Sequence, residues 1–406
     1  VLLMKKIFPC IIGLGYVGLP LFVSLKKKFQ MIGYDISKTR TKELKKYVDR
    51  NKEFTRKDLK LENKSLITSN HVDIKNSNFY IVTVPTPIKK NKYPDLNYIK
   101  SAFNIISKYI KNDDIVFLES TVYPGTTLEI CKNIIQKKNK NINFFIGYSS
   151  ERINPGDKIH NIKNIPKVVS INANKKIISS VKNVYKNVSK KIVFTKKIDE
   201  AELSKLIENT QRDLNIGLMN EIMILCEKAN LDFNEVIRLA KTKWNFLNFK
   251  PGLVGGHCLP VDPYYLSYFA KKLRYNTKIT LAARKTNNSM EQFVLRKIIL
   301  NLKKLKNYKK KKIVVMGLTY KSNVPDYRNS LAVNIFNKLK KMNKNIKAYD
   351  PIIESSFIKT NNISTNFKEI MKSEVFIILV KHEQIGKAIR VAINNKKIII
   401  DPLSLI

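Results

Sequence analysis

Apolar residues occur along the chain in short runs that alternate with segments of helical spacing. Residues 7–12 predict a buried strand, in which Pro9 fits only at a sheet edge or at the first position. A helix over residues 16–28 and a second strand over residues 31–35 follow. Further apolar runs cover residues 79–84, 115–118, 144–148 and 167–171. This alternation predicts a parallel sheet with helices on both faces.

The pattern changes in the middle of the chain. Residues 199–229 predict one long helix, which Asp199 and Glu202 would begin as a capping box. More helix is predicted over residues 232–242 and 261–305, and the lysine run 309–312 marks a boundary. Beyond it, strands near 312–318, 346–349, 375–380 and 397–401 and a helix near 330–342 restore the alternation. The predicted fold class is therefore α/β, with two Rossmann-like doubly wound domains, residues 1–198 and 309–406, joined by a central helical domain, residues 199–308.

The formal net charge of +44 first suggests a nucleic-acid ligand. However, 65 of the 76 basic residues are lysines, and they are scattered along the whole length. Nucleic-acid readers more often show arginine, clustered basic residues and interleaved aromatic residues. We interpret the lysines as solvated surface residues and keep a basic nucleic-acid-binding protein on a Rossmann scaffold as the alternative of a different class.

The cysteines Cys10, Cys131, Cys226 and Cys258 are few and widely spaced. They form no CxxC pair and no ligand spacing with histidine, so neither a disulfide framework nor a metal site is expected. Lys5, Lys6 and the apolar residues after them imitate a signal peptide, but three glycines interrupt the run. We expect a cytoplasmic protein with reduced thiols and no membrane span.

A dinucleotide-binding motif follows the first predicted strand. Gly13, Gly15 and Gly18, together with the intervening Tyr16 and Val17, match GxGxxG at the start of a predicted helix. The first glycine permits a tight turn, the second lets the backbone approach a pyrophosphate, and the third lets helix and strand pack closely. Asp35, at the end of the second strand, would bind the ribose hydroxyls and repel a 2′-phosphate, which favours NAD over NADP. Arg40 could pack on the adenine side.

The segment around Cys258 is the most unusual in the chain. Residues 251–263 read PGLVGGHCLPVDP, so paired glycines precede the cysteine and prolines surround it. The glycines give backbone freedom for close approach to a ligand, and the predicted helix start after Pro260 would stabilise a thiolate. A thiolate can add to an aldehyde, and hydride loss from the adduct gives a thioester that water hydrolyses to an acid. We interpret Cys258 as reactive, and adjacent His257 as a structural or substrate-contacting residue.

Lys205 and Asn209 lie four residues apart on the long predicted helix and therefore share a face. With Arg212 and Asn220 they form a polar stripe that could line a cleft. Spacing alone is equally compatible with a solvated helix face.

Seven motifs occur in order along the chain. They are GLGYVGLP (13–20), VPTP (84–87), ESTVYPG (119–125), ERINPGD (151–157), ENTQRDLNIGLMNE (208–221), KPGLVGGHCLPVDPYYL (250–266) and GLTYKSNVPDYRNS (317–330). Together they resemble the UDP-glucose/GDP-mannose dehydrogenase family over essentially the full length. Within that family, the forms of the fourth and sixth motifs are most similar to the branch that oxidises UDP-N-acetylglucosamine or UDP-N-acetylgalactosamine for surface polysaccharides.

The resemblance implies four-electron oxidation of a UDP-sugar at C6, with NAD as cofactor. Cys258 would be the nucleophile, Lys205 the cation that stabilises oxyanions, and Asn209 a hydrogen-bond donor. Asp262 would orient the lysine and a water, while Thr121 and Glu151 would hold the water used in proton transfer and hydrolysis.

The resemblance also implies binding residues and an assembly. Pro85, Thr86, Ser120, Thr121 and Arg328 would contact the cofactor. Glu151, Arg152, Lys205, Asn209, Lys250, Gly255 and Lys321 would contact the sugar nucleotide. A homodimer built on the long helix is expected, with Trp244 in the core or the interface.

Two departures from the family pattern bear on the substrate. Relatives that act on UDP-glucose carry a second acidic residue where this chain has Pro155, and the C-terminal arginine of some members has no counterpart after Asp401. UDP-glucose and UDP-N-acetylmannosamine remain alternative substrates. Because the second α/β domain lacks GxGxxG, we expect it to bind the uridine diphosphate.

Overall fold

The computed structural model describes residues 6–51, 53–153, 161–353 and 363–406. Two compact units divide these residues. The first contains Val1–Glu208 and Tyr264–Asn276, and the second contains Asn209–Pro263 and Thr277–Ile406. The predicted motif over residues 151–157 extends past Ile153 into residues 154–157, so Pro155 lies outside the described residues.

The first unit is built on an eight-stranded sheet in the order β3-β2-β1-β4-β5-β6-β7-β8. Its first six strands follow the order of a dinucleotide-binding Rossmann fold, which confirms the predicted fold class. The strands are β1 (Pro9–Ile12), β2 (Ile32–Tyr34), β3 (Leu66–Thr68), β4 (Phe79–Val82), β5 (Ile115–Leu118), β6 (Phe145–Ser149), β7 (Lys167–Ile171) and β8 (Ile192–Thr195).

One pairing differs from the all-parallel sheet that the apolar runs predict. β7 runs antiparallel to β6, with Tyr148 opposite Ser170, and β8 then runs parallel to β7. An apolar run does not encode strand direction, and parallel sheets commonly carry reversed strands towards one edge. Pro9 is the first residue of the interior strand β1, which is the position where a missing backbone donor is tolerated.

Helices connect the strands of this sheet and cover its core. The apolar residues of α1 pack with β1 and β4 in one cluster that includes Phe22, Phe79 and Phe117. The helices are α1 (Gly18–Leu25), α2 (Lys38–Lys45), α3 (Arg56–Leu59), α4 (Asn97–Ile106), α5 (Asn133–Lys138) and α6 (Lys175–Tyr185), with a π-helical turn over Thr126–Lys132 before α5.

The long predicted helix is present as α7 (Ile198–Lys228), but its beginning is not the predicted capping box. The helix already includes Asp199, and Glu202 reaches a distant segment instead. The Glu202 carboxylate accepts hydrogen bonds from the backbone of Gly125 at 2.8 Å and from the backbone and hydroxyl of Thr127 at 2.9 and 2.6 Å. Glu202 is fully buried, and its tertiary partners replace the local bond that the motif favours.

The predicted helical stretch over residues 261–305 is two helices. α9 (Asp262–Lys272) and α10 (Lys278–Lys303) are separated by a turn in which Arg274 adopts a left-handed φ of 58°. Apolar spacing continues through this turn, so the sequence pattern does not show the break. α8 (Phe233–Ala240) precedes both and begins with the Asp232 side chain as its N-cap.

The second unit contains a five-stranded parallel sheet in the order β11-β10-β9-β12-β13. Apolar residues of α10 and α11 pack against one face of this sheet, where Phe293, Phe336 and Ile377 share a core. The strands are β9 (Ile313–Met316), β10 (Ile346–Tyr349), β11 (Ile363–Ser364), β12 (Val375–Ile378) and β13 (Ile398–Ile400), and the helices are α11 (Leu331–Met342), α12 (Phe367–Ile370) and α13 (Glu383–Asn394).

Among the residues that the structure describes, no helix combines the length and apolar character needed to cross a bilayer.

Replacing Glu202 tests whether its three tertiary hydrogen bonds stabilise the first unit. We expect Glu202→Ala to lower the free energy of unfolding at pH 7 by about 2–4 kcal/mol, because the amides of Gly125 and Thr127 lose their buried acceptor. Chemical denaturation measures this change. Glu200→Ala, at an exposed position of the same helix turn, is the matched control and should change stability by less than about 0.5 kcal/mol.

The same two variants should also differ in how their free energy of unfolding depends on pH. Burial raises the pKa of Glu202 to about 7, outweighing the hydrogen bonds that favour its charged form. The folded protein therefore binds this proton more tightly than the unfolded chain, and the free energy of unfolding falls as pH rises from about 4.5 to 7. Glu202→Ala should flatten this fall. An unchanged slope, or equal stability of the two variants, would contradict the assignment.

Candidate functional site

The glycine-rich turn after β1 has no space for a side chain at its first position. Gly13 adopts a φ of +95°, and a Cβ on it would lie 2.9 Å from the carbonyl oxygen of Thr83. The Thr83 hydroxyl donates to the Gly13 carbonyl at 2.7 Å, which fixes the turn to the end of β4. Glycine at position 13 is therefore required by sterics as well as by φ.

The other two glycines of the motif have opposite surroundings. A Cβ on Gly18 would lie 1.8 Å from the Gly13 carbonyl oxygen, so α1 can pack onto the turn only with glycine there. A Cβ on Gly15 would meet nothing within 4 Å. The backbone at Gly15 thus faces open space next to a helix N-terminus, which is the arrangement that accepts a pyrophosphate.

Asp35 follows β2 and lies beside this turn. Its Oδ2 accepts a hydrogen bond from the backbone of Leu14 at 2.8 Å, and its Oδ1 accepts one from the backbone of Ser37 at 2.8 Å. A carboxylate has about four acceptor sites, so two remain for hydroxyl donors. Asp35 therefore both supports the glycine turn and presents a negative charge where a dinucleotide ribose would bind.

Arg40, which we expected against adenine, is buried beneath the turn. Its Nε donates to the Leu14 carbonyl at 2.9 Å, and its guanidinium lies 3.0 Å from Asp49 Oδ1. In this geometry Arg40 braces the turn from below. A contact with adenine stays a prediction.

The segments after β4 and β5 carry the remaining expected cofactor residues. Ser120 donates to the Val84 carbonyl at 2.6 Å, so the ends of these two strands are joined. Pro85 is exposed, while Thr86 and Thr121 are half-buried. β1 and β4 are neighbours from which the chain winds in opposite directions, and the crevice at such a switch point is where α/β sheets bind ligands.

Glu151 and Arg152 follow β6 at the same end of the sheet. Glu151 is buried, with Oε1 accepting from the backbone of Ile153 and Oε2 lying 3.7 Å from Lys167 Nζ. Arg152 pairs with Glu208 and donates to the Pro166 carbonyl at 3.2 Å. Both residues thus have fixed positions within the first unit.

The polar stripe on α7 is not a solvated face at three of its four positions. Lys205, Asn209 and Asn220 are buried, whereas Arg212 is exposed. Asn209 Nδ2 donates to Asp262 Oδ2 at 2.5 Å, and Arg212 donates to Asn209 Oδ1 at 3.3 Å. Spacing alone left the two interpretations equal, and burial decides between them.

Cys258 differs from the other three cysteines in accessibility. It is exposed, whereas Cys10, Cys131 and Cys226 are buried. Burial also raises the pKa values of Cys10 and Cys131 well above the ordinary thiol value, which makes these two thiols unreactive. The backbone of Asp262 donates to the Cys258 carbonyl at 2.9 Å, so the thiol lies one turn before α9.

The paired glycines before Cys258 are explained by protein neighbours. A Cβ on Gly255 would lie 2.6 Å from the Asn329 carbonyl oxygen, and one on Gly256 would lie 2.7 Å from the Tyr320 ring. We expected close approach to a ligand, but in the second unit the close approach is to the loop after β9. A sugar-nucleotide contact by Gly255 and by exposed Lys250 stays a prediction.

His257 joins the same loop through an acidic residue. Its Nε2 lies 3.3 Å from Asp326 Oδ2, and Arg328 binds Asp326 with two donors at 2.9 and 2.7 Å. Burial opposes ionisation of Asp326, but the hydrogen bonds from His257 and Arg328 outweigh it and hold the pKa of this carboxyl well below its usual range. The pairing supports a structural role for His257.

A buried network in the second unit holds the loop before Cys258. Asn220 on α7 donates to the Gly252 carbonyl at 3.1 Å and accepts from its amide at 2.8 Å. Asn220 also donates to Asn287, which donates to Asp213, the ion-pair partner of Arg284. The sequence interpretation placed Asn220 on the polar stripe but did not find Asp213, Arg284 and Asn287, because their contacts join residues about 70 positions apart.

Comparison with known proteins decides the family. Sequence models of the UDP-glucose/GDP-mannose dehydrogenase family match three successive parts of the chain. They are the NAD binding domain at residues 6–189, the central domain at residues 199–289 and the UDP binding domain at residues 314–406. The chain belongs to this family.

Individual relatives agree. This dehydrogenase is 42% identical to protein CapL of Staphylococcus aureus and 40% identical to a UDP-N-acetyl-D-glucosamine 6-dehydrogenase of Salmonella typhi, each alignment covering 92% of this chain and 89% of the relative. It is 32% identical to a UDP-N-acetyl-D-mannosamine dehydrogenase of Methanococcus vannielii, over 94% of this chain and 87% of that one. The solved structure of a UDP-D-ManNAc dehydrogenase from Pyrococcus horikoshii superposes with a TM-score of 0.84 at 27% identity, covering 98% and 96% of the two chains.

Membership confirms several predictions from the sequence. The protein is an oxidoreductase, an NAD-dependent UDP-sugar dehydrogenase, and it has a UDP binding domain. The open backbone at Gly15 and the carboxylate of Asp35 fit the cofactor.

The second sheet of the dehydrogenase repeats the turn geometry of the first. Gly317 follows β9 with a φ of +81°, and a Cβ on it would lie 2.1 Å from the Val380 carbonyl oxygen at the end of β12. The backbone of Leu318 donates to Asp350 Oδ2 at 2.7 Å, as that of Leu14 does to Asp35. Unlike Asp35, Asp350 is fully buried, where His382 lies 3.2 Å away. Lys321 and Arg328, expected at substrate and cofactor, follow this turn.

No cluster of three or more His, Cys, Asp and Glu side chains within the described ranges could hold a metal ion.

Asp35 offers a test of the dinucleotide site. We expect Asp35→Ala to weaken NAD binding by roughly 10- to 100-fold, because hydrogen bonds to a charged group are lost, and to reduce the preference for NAD over NADP. Asp35→Asn keeps an acceptor for the turn and separates the effect of charge from that of support. Titration of both cofactors, with exposed Lys42→Ala as control, measures the change. An unaltered NAD-to-NADP ratio in both Asp35 variants would exclude the assignment.

Proposed function

We propose that this dehydrogenase oxidises a UDP-N-acetylhexosamine, UDP-GlcNAc or UDP-GalNAc, at C6 to the uronic acid, for surface polysaccharide biosynthesis. The substrate choice is supported by 40% identity to a UDP-N-acetyl-D-glucosamine 6-dehydrogenase against 32% to a UDP-N-acetyl-D-mannosamine dehydrogenase. UDP-N-acetylmannosamine is the second candidate, favoured by the structural likeness to the Pyrococcus horikoshii enzyme.

The single observation that carries the mechanism is an exposed thiol joined through the backbone to a buried amide–carboxylate pair. Cys258 is accessible, and the Asp262 that hydrogen-bonds its carbonyl also accepts from Asn209. A thiol that must attack a C6 aldehyde needs access, while the groups that stabilise the resulting oxyanion need fixed positions.

In the proposed reaction, NAD held at the glycine turn and Asp35 would supply the hydride acceptor for each of two oxidations at C6, while the water held by Thr121 and Glu151 takes the hydroxyl proton. Lys205 stabilises the C6 oxyanion, and Asn209 donates a hydrogen bond to it. The Cys258 thiolate adds to the aldehyde to give a thiohemiacetal, whose oxidation leaves a thioester on the same sulfur. Water held by Thr121 and Glu151 then breaks the carbon–sulfur bond, releasing the carboxylate and returning the thiolate. Asp262 orients Lys205 and a water.

Buried positions support the assignment of these groups. Lys205, Asn209, Asp262 and Glu151 are all buried, although each carries a polar side chain. Buried polar groups cost free energy unless they are paired or used, so this set is more typical of a functional site than of a helix surface. Arg152, Lys250, Gly255 and Lys321 belong to the proposal as substrate contacts, and Arg328 as a contact of the cofactor phosphates.

The proposal includes a homodimer through the central helix. Leu218 and Leu225, seven residues apart on one face of α7, are both more than half exposed. Trp244 is 88% exposed, and Leu239 and Leu247 are also exposed. A second copy of the chain would cover such an apolar face. The same proposal includes the domain division 1–198, 199–308 and 309–406. It also includes a cytoplasmic location, which the few and widely spaced cysteines support.

Removing the nucleophile should stop acid formation but not cofactor binding. We expect Cys258→Ala to lower uronate production by roughly 10³-fold or more. Its NAD affinity should stay within about twofold of the parent value, because the hydrogen bonds that form the glycine turn, to Thr83 and Asp35, do not involve Cys258. Cys226→Ala is the matched thiol control and should keep its activity. Uronate production at the parent rate in Cys258→Ala would remove the cysteine from the mechanism.

The substrate is tested by NADH yield across a panel of UDP-sugars. We expect two NADH per sugar with UDP-GlcNAc or UDP-GalNAc, and kcat/KM at least roughly tenfold below that value with UDP-glucose. A preference for UDP-glucose or UDP-N-acetylmannosamine would select one of the alternatives. Tight DNA retention at physiological salt, with no NADH from any sugar nucleotide, would favour the nucleic-acid interpretation.

A further inference from the structure

A buried ion pair lies next to Glu151 in the first unit. Lys167, the first residue of β7, places its Nζ 2.5 Å from Oε2 of Glu119, which follows β5. Glu119 is fully buried and Lys167 is 5% exposed. Burying two charges is unfavourable for each ion, and a buried ion pair is tolerated only with further hydrogen bonds.

The second oxygen of Glu119 supplies such a bond. Tyr185, the last residue of α6, donates its hydroxyl to Glu119 Oε1 at 2.6 Å and is itself fully buried. Glu119 is therefore held at both oxygens, by a phenol from one side and an ammonium from the other. This anchor fixes where the Lys167 ammonium lies.

The same ammonium faces a second carboxylate. Glu151 Oε2 is 3.7 Å from Lys167 Nζ, and it has no hydrogen-bond partner in the part of the chain that the structure describes. Glu151 Oε1, in contrast, accepts from the Ile153 backbone. Burial acts to lower the pKa of Lys167, but the carboxylates of Glu119 and Glu151 outweigh it and raise this pKa, so Lys167 stays charged.

One carboxylate would be enough to pair Lys167. The second carboxylate is oriented by the cation but keeps an oxygen that can still accept a hydrogen bond. That is the state required of a carboxylate that holds a water or receives a proton. Glu119, by comparison, has both oxygens bonded.

We propose that Lys167 is a positioning residue for Glu151. Glu119 and Tyr185 together hold the Lys167 ammonium in place. This ammonium orients Glu151 Oε2 and leaves that oxygen able to accept a hydrogen bond. The inference rests on the proposed function of Glu151 in hydrolysis of the thioester. Neither Glu119 nor Tyr185 then touches the substrate, and both act through Lys167.

The test compares Lys167→Met, Lys167→Arg and Glu151→Gln in the full-length enzyme, with exposed Lys176→Met as the matched lysine control. We expect Lys167→Met to lower kcat by roughly 10- to 100-fold, as loss of a supporting partner typically does, with KM for the UDP-sugar within about twofold. Hydrolysis should become limiting, so a burst of NADH should appear and mass spectrometry should detect the acyl group on Cys258. Lys167→Arg should restore most of kcat, because it returns the positive charge.

The double variant separates positioning from general stability. If Lys167 acts through Glu151, Lys167→Met should slow Glu151→Gln no further, so the two effects should not add. Additive effects without a burst would overturn the inference, as would parent kinetics in Lys167→Met. Parent kinetics in Glu151→Gln would instead reject the proposed role of Glu151 itself, which keeps the two failures distinct.

A second variant covers loss of folding in Lys167→Met. Tyr185→Phe removes one hydrogen bond from Glu119 and leaves no buried charge unpaired. We expect the same burst and acyl intermediate, with kcat lowered roughly three- to tenfold. Parent steady-state kinetics in a folded Tyr185→Phe, with Lys167→Met unfolded, would also overturn the proposal.

Discussion

A glycine turn that leaves no space for a Cβ organises the nucleotide-binding end of each sheet. At Gly13 the chain leaves β1 in the left-handed region, pressed against the end of β4, and Gly317 repeats this against the end of β12. The turn then presents a backbone amide to an aspartate at the end of the neighbouring strand, Asp35 in one sheet and Asp350 in the other. Both turns therefore require glycine, because only glycine adopts this backbone conformation without strain.

Buried polar side chains then hold the loops around the candidate site. Glu202 holds the segment at Gly125, Asn220 holds the loop at Gly252, and Lys167 faces Glu151. A buried polar group without a partner is costly, so each such contact allows few alternative loop positions. Helices and strands thus fix the loops through specific hydrogen bonds, and the accessible thiol of Cys258 follows one of them.

The sequence interpretation was wrong where a local motif competed with a distant partner. Asp199 and Glu202 have capping-box spacing, yet Glu202 bonds to residues about 75 positions away. The glycines before Cys258 lie close to Asn329 and Tyr320, contacts that no local pattern indicates. The apolar pattern also did not predict the reversed strand β7 or the break at Arg274, because it records burial and not chain direction.

By itself, the sequence determined the Rossmann-like strands, the GxGxxG turn and the long central helix, because apolar periodicity and glycine requirements are local properties of the chain. Its ordered motifs also resemble the family that the comparisons show. Only the tertiary structure decided that Arg40 braces the turn, that Asn209 pairs with Asp262, and that Lys167 lies between two carboxylates. These pairings join residues far apart in the chain. Their partners are selected by which polar groups folding buries together, and residue spacing does not encode that.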